Sequence, residues 1–184
     1  ESAAPVCNAL LGKKAPWSAA VLDADALNAL AAGKIKGPLP DQTVITPHPG
    51  EAARLLDCTV GEVQTDREAA ARRLAEMYHC IAVLKGRGTL IATPGGEVYH
   101  NPTGSAGLAK GGSGDILAGL LSGLLAAGLK QDRTAEDAAI AAVWLHGAAG
   151  DRCAKRLGMA AMLPHDIFAD LGAILAELER TTTA

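Results

Sequence analysis

Residues 107–114 read Gly-Leu-Ala-Lys-Gly-Gly-Ser-Gly, and a single acid, Asp115, separates them from an apolar run that begins at Ile116. Such a junction can do chemistry. The first backbone N–H groups of a helix have no internal acceptor and together carry roughly half a positive charge. Glycines ahead of them let an anion approach the backbone without meeting a Cβ. Gly111, Gly112, Ser113 and Gly114 are therefore a candidate anion hole. The pattern is not a Walker-type phosphate loop, because Lys110 precedes the glycines instead of following them. Nor is it Gly-x-Gly-x-x-Gly, because Leu117 stands where the third glycine belongs. Glycines alone would equally serve a tight turn and close helix packing. Asp115 tips the balance. An acid in a first helical turn complements the dipole, but beside a bound phosphate it repels. Its presence is better explained if it takes a proton from a hydroxyl that attacks the phosphate. Anion hole and base together indicate phosphoryl transfer to an alcohol.

Other residues could share in that chemistry. Lys85, Gly86, Arg87, Gly88 and Thr89 follow an apolar strand-like run, where α/β folds place ligand loops. The plainer alternative is a strand-to-hairpin turn with Arg87 solvated. His48, between Pro47 and Pro49, is either a ligand contact or a rigid loop residue. Asp23 and Asp25 form a carboxylate pair, expected to hold a loop by Asx hydrogen bonds. His146 and Asp151 are expected to pack and cap rather than catalyse. No carboxylate cluster is evident near the glycine loop, so a divalent cation at a phosphate bound there would rest mainly on that phosphate and water.

The elements that must position these residues alternate. Strands are expected at 20–23, 43–46 and 81–86, with a hairpin from "TLIATP" and "EVYHN" across Gly95-Gly96. Helices are expected over "ALNALAAG", stopped by Gly33, and from Pro49, with Glu51 at its positive end. A capping box of Thr65 and Glu68 should open a helix reaching about His79. Further helices are expected over 114–128, over 135–156 behind a Thr134 cap, and from Pro164 to about Glu179. The first 20 residues read mostly as a helix leading into the first strand, and the "TTTA" tail as frayed. This alternation predicts parallel βα units in one domain over 1–184.

Composition excludes several classes. The 184 residues are 49% hydrophobic with a net charge of −3, and no basic block suggests nucleic acid as a partner. The longest apolar run, Ile116 to Leu129, is 14 residues, which is short for a bilayer. The four cysteines, at 7, 58, 80 and 153, lack metal-ligand spacing and read as free thiols in a cytoplasmic setting. The first residues carry neither the basic nor the apolar region of a secretory signal.

"VLDADALN" (21–28), "TPHPGEAARLL" (46–56), "VLKGRGTLI" (83–91) and "NPTGSAGLAKGGSGDILAG" (101–119) occur in this order. Together they closely resemble the ADP-dependent NAD(P)H-hydrate dehydratase family of the ribokinase-like superfamily. "GGSGD" indicates only the superfamily; "TPHPGE" with "DADALN" is far more specific. The resemblance implies an α/β, ribokinase-like fold with a mostly parallel central sheet flanked by helices. It implies repair of hydrated NADH or NADPH with ADP (ATP in some branches) and Mg²⁺, releasing AMP and phosphate. It makes Asp115 the base and, with His48, a substrate contact. It assigns Lys85, Gly86, Arg87, Gly88, Thr89 and Gly114 to the nucleotide. Asn101, Thr103, Gly104 and Lys110 become supports of the anion loop. Two departures stand beside that loop: Ser105-Ala106 where Asn-Pro is frequent, and Leu108 where Met is usual. A hydroxyethylthiazole-kinase-like enzyme would share the anion hole and base, and an inactive nucleotide-binding fragment would share the fold. Family members carry about 90 further residues ahead of the segment matching Val21. The chain is therefore expected to be the C-terminal part of a longer protein, with N-terminal strands missing and an edge that favours homo-oligomers.

Overall fold

In the structure, a computed structural model describing residues 3–11 and 17–182, eight α-helices and five strands alternate. The helices are α1 (Ala4–Leu11), α2 (Asp25–Ala31), α3 (Pro49–Leu56), α4 (Val60–Thr65), α5 (Arg67–Tyr78), α6 (Ser113–Gly128), α7 (Ala135–Leu157) and α8 (Ile167–Thr182). The strands are β1 (Ala19–Leu22), β2 (Gln42–Ile45), β3 (Ile81–Leu84), β4 (Leu90–Ala92) and β5 (Val98–His100). They lie in sequence order across one sheet. β1, β2 and β3 are parallel, β4 turns back against β3, and β5 against β4, so four strands point one way. Residues 12–16 and 183–184, in the expected helical lead-in and the expected frayed tail, lie outside the described residues.

Alternation across the sheet sends side chains to two cores. Ile45, Ala82, Leu84, Leu90 and Ala92 face α2 to α5. Val44, Ile81, Val83 and Ile91 face α6 and α7, meeting Leu117, Leu121 and Leu125 at helical spacing. A third cluster joins α7 to α8 through Leu145, Cys153, Met162, Ile167 and Ile174. The central strand β3, Ile-Ala-Val-Leu, is buried at all four positions, as a strand covered on both faces must be. The expected α/β architecture is met. Counted with its terminal residues and the following turn, Ser113–Gln131 is 19 residues and apolar enough by length and composition to cross a membrane. Here its leucines pack on the sheet instead.

One capping assignment is corrected. Thr65 ends α4, and its Oγ1 bonds back to the Gly61 carbonyl at 2.9 Å. The capping box lies earlier, between Thr59 and Glu62. Asp66 caps α5 by accepting from Ala69 N–H at 2.9 Å. A short side chain immediately before each helix won over the Thr-x-x-Glu spacing, because Glu68 turns outward to Arg72 and His100.

Two glycines of α7 let the 101–108 segment lie directly on the helix. A Cβ at Gly150 would meet Leu108 Cγ at 2.7 Å, and one at Gly147 would meet the Thr103 carbonyl carbon at 2.8 Å. Gly147→Ala therefore requires backbone to move. It is expected to cost about 2 kcal/mol, lowering Tm by roughly 5 °C in a calorimetric melt.

Candidate functional site at the sheet's carboxyl ends

Three parallel strands end side by side, and each hands over one polar residue. β1 leads into Asp23, β2 into Thr46-Pro47-His48, and β3 into Lys85. Hydrogen bonds just past the strands keep them in register: Thr46 N–H to the Leu22 carbonyl at 3.1 Å, and Lys85 N–H to the Pro47 carbonyl at 2.8 Å. Carboxyl ends of parallel strands are where α/β sheets place ligands.

These residues meet the start of α6. The Lys85 ammonium lies 2.7 Å from Asp23 Oδ1 and 3.9 Å from Glu51 Oε2, all three side chains being largely buried. A Cβ at Gly114 would stand 3.5 Å from Lys85 Nζ and 3.6 Å from Asp23 Oδ2, so the ion pair sits against the helix N-terminus. One expectation is revised: Asp23 does not serve an Asx turn but pairs with Lys85 against the start of α6, and Glu51 reaches the same ammonium. Neither was legible locally, because the strand register and the return of β3 bring them together. Asp25 stays apart, at the start of α2, accepting from Asn28. Between the two acids Ala24 adopts φ 48°, ψ −116°. An alanine there is strained, and such strain concentrates at functional sites.

At α6 the cap Gly112 has φ 93° and supplies no side chain. Ser113 N–H reaches the Lys110 carbonyl and Ile116 N–H that of Gly112, both at 3.2 Å. Gly114 and Asp115 N–H groups find no acceptor among the described residues, which leaves two donors for an anion.

His48 is the cap of α3. Its Nδ1 accepts from Gly50 N–H at 3.0 Å and Glu51 N–H at 3.4 Å, while Glu51 accepts from His48 N–H at 2.8 Å. The ring is thereby held with Nε2 3.5 Å from Glu51 Oε1, its side chain half exposed. Glu51, which reads in the sequence only as a dipole partner, thus ties His48 to Lys85.

A cavity of about 820 Å³ opens against this junction. Its lining includes His48, the whole 85–89 loop, Ser113 and Gly114, together with Asn101, Thr103, Gly104 and Lys110, and Val143, His146 and Gly147 of α7. Gly111, Gly112 and Asp115 are not among its lining residues, and Asp115 is exposed on the first turn of α6. The cavity's size suits a ligand larger than a single phosphate.

The lining is braced from behind. Arg67 of α5, unremarkable in the sequence, donates to the carbonyls of Leu84 (3.2 Å), Lys85 and Gly88 (3.4 Å each), holding the 85–88 loop. Asn101 and Thr103 bond to each other, Thr103 Oγ1 donates to the Trp144 carbonyl at 3.0 Å, and Gly104 N–H to Asp151 at 2.9 Å. Ser105, one of the two departures, caps the turn of Ala106–Leu108, and Leu108 fills the space over Gly150. Arg87 is exposed on the cavity rim.

His146 Nε2 lies 3.4 Å from Ser113 Oγ. Burial pushes its pKa below the ordinary value, partly opposed by hydrogen bonding to Ser113. The unfolded ring titrates near about 6.5. With the folded value depressed, the stability tied to the neutral ring is intact above that pH and is lost as pH falls through the folded value. Melting temperatures are expected to drop below about pH 6.5, and His146→Gln to flatten that part of the profile.

The fold and site define a nucleotide-type α/β domain, in which strand ends and a helix N-terminus surround one cavity. The family profile described as NAD(P)H-hydrate dehydratase (Carb_kinase) matches residues 1–172, and the chain belongs to that family. It is 46% identical over 165 residues to the bifunctional NAD(P)H-hydrate repair enzyme Nnr of Moorella thermoacetica, covering 87% of this chain and 30% of that protein. It is 47% identical over 146 residues to the ADP-dependent (S)-NAD(P)H-hydrate dehydratase of Neisseria meningitidis, covering 78% and 48% respectively. Among solved structures, the Bacillus subtilis ADP/ATP-dependent NAD(P)H-hydrate dehydratase, co-crystallised with ATP/Mg²⁺, superposes with a TM-score of 0.74 at 33% identity, covering 86% of this chain and 55% of that one. A ribokinase-like superfamily protein from Enterococcus faecalis gives 0.75 at 28% identity, covering 95% and 58%. The chain spans between 30% and 58% of the length of these proteins.

Proposed function

We propose that the chain carries the nucleotide site and phosphoryl-transfer centre of an ADP-dependent NAD(P)H-hydrate dehydratase. The observation that carries this reading is the convergence of His48, Lys85 and Gly114, whose N–H has no acceptor among the described residues, on one cavity, with the equally free N–H of Asp115 next to it on α6. The names of the relatives and the four motifs support it. The nucleotide lies in the cavity with its phosphates at the start of α6 and its remainder along 85–89. Gly114 and Asp115 N–H groups hold the transferring phosphoryl oxygens, and Lys85 balances their charge from beside Asp23. The hydrated nicotinamide ring approaches from the side of His48 and the exposed Asp115. Asp115 takes the proton of the ring hydroxyl as that oxygen bonds to phosphorus and the bond to the AMP-bearing oxygen breaks. Loss of phosphate from its ring carbon, together with a proton lost from the neighbouring ring carbon to solvent, restores the ring double bond, leaving NAD(P)H, phosphate and AMP.

Mg²⁺ supplies charge neutralisation on the phosphates when bound. No group of three or more metal-ligating side chains occurs among the described residues. Phosphate oxygens and water would hold it, and Asp23, which stands against Gly114, could join. Among the described residues β1 ends the sheet and the four cysteines are unbridged, which suits a homo-oligomer in a reducing, cytoplasmic setting.

The test is turnover of hydrated NADH and NADPH with ADP or ATP and Mg²⁺, following AMP and reduced-nicotinamide absorbance. AMP formation supports the dehydratase. ADP formed from ATP with a small thiazole alcohol, and no AMP, would favour the kinase alternative. Nucleotide binding without either product would mark an inactive nucleotide-binding chain.

A further inference from the structure

Lys110 opens the glycine loop, and a lysine beside an anion hole invites assignment to a phosphate. Its geometry points elsewhere. The ammonium donates to the main-chain carbonyls of Met159 and Ala160, each at 3.0 Å, and of Met162. An ammonium has three protons, and all three are taken by these oxygens. Among the described residues no carboxylate pairs with Lys110. The three carbonyls belong to one turn, between α7 and α8, and converge on a single point. Neutral oxygens converging on one positive charge are the ligand set of a weakly hydrated monovalent cation, not of a phosphate-binding lysine.

The same turn touches the glycine loop along its length. A Cβ at Gly107 would meet Met159 Cα at 3.3 Å, and one at Gly112 would meet the Pro164 ring at 3.8 Å. Lys110 N–H donates to the Leu108 carbonyl, and the Lys110 carbonyl accepts from Ser113 N–H, so its backbone is part of the cap of α6. The side chain fastens to the turn what the backbone fastens to the helix.

We propose that the Lys110 ammonium is a tethered monovalent cation: it fills a three-carbonyl site in the 159–162 turn and so clamps the loop that presents the Gly114 and Asp115 N–H groups. Lys110 is a positioning residue: it lines the cavity, but its ammonium is engaged by the turn and not by the nucleotide. Removing its side chain leaves a site that free potassium or ammonium ions can fill. The nucleotide arm of the test rests on the function proposed above; the stability arm does not.

The experiment compares the wild-type chain and Lys110→Ala in choline, potassium and ammonium chlorides at equal ionic strength. Melting temperature is read without nucleotide, and ADP affinity by calorimetry. Wild type is expected to give the same values in all three salts. Lys110→Ala is expected to melt roughly 5 °C lower in choline and to bind ADP roughly tenfold more weakly. Ammonium or potassium should restore most of both losses. A variant that does not fold in choline is refolded with each cation, and recovery with ammonium or potassium counts as restoration. The proposal is overturned if the variant melts like wild type in choline, if no cation restores it, or if wild type itself responds to potassium. A phosphate-contacting lysine would lower ADP affinity and leave the nucleotide-free melt unchanged, which also overturns it. If wild type fails to bind ADP, the proposed function falls, and the nucleotide-free melts alone decide the clamp.

Discussion

Asp115→Asn is expected to bind ADP about as well as the wild type and to lose roughly 10² to 10⁴ in turnover. The substitution keeps the shape and the backbone N–H that faces the anion, and removes only the ability to accept a proton. Asp115 is exposed in the first turn of α6 and has no side-chain partner among the described residues. Little packing is therefore lost, and only a few tenths of a kcal/mol of dipole interaction. Its exposure, outside the lining of the cavity, leaves its carboxylate open to a second substrate. Removing a negative charge near phosphates cannot weaken the nucleotide, so a fall in rate without a fall in affinity separates base from binding residue. Single-turnover kinetics with ADP affinity in parallel make the measurement. Near-normal turnover would end the assignment.

Gly114→Val should abolish most nucleotide binding while leaving the fold in place. Gly114 has ordinary helical geometry, so backbone strain is not the issue. A lone Cβ fits at contact distance, 3.5 Å from Lys85 Nζ and 3.6 Å from Asp23 Oδ2. The two extra methyls of valine have no such room. They must displace the Asp23–Lys85 pair or fill the position where phosphate meets the N–H groups. ADP affinity is expected to fall roughly 10²-fold, about 2.7 kcal/mol, with Gly114→Ala between the two. Unchanged affinity by calorimetry would show that the phosphates lie elsewhere.

Much of the architecture was legible because local signals agreed with the tertiary outcome. Short β-branched runs ended in polar residues, Gly33 and Pro49 punctuated the helices, and Thr134 capped α7 as its sequence required. The glycine loop stood out because glycines directly before an apolar helix, followed by a single acid, form a contiguous pattern. The error at Thr65 arose where two capping patterns overlap within ten residues, and only the turn between α4 and α5 decides which oxygen reaches which N–H. Arg67 went unnoticed because nothing near it in the chain shows that three carbonyls of the 84–88 segment will lie within its reach.

The linear order of residues sufficed for the class of fold and the family, and it singled out the glycine loop and Asp115 as candidates. Each rests on a contiguous motif whose chemistry acts within a few residues. The partners of those residues came only from the folded chain. Asp23 and Lys85 are 62 positions apart and meet because two strand ends share one side of the sheet. Lys110 and Met162 are 52 apart, and His146 and Ser113 are 33 apart. A charged side chain is satisfied by whatever oxygen the packing brings within about 3 Å. Packing across a sheet or between helices depends on register and crossing geometry, which no local pattern encodes. A lysine that reads as a phosphate ligand can therefore end on three carbonyls, and an acid that reads as a loop cap can end beside the anion hole.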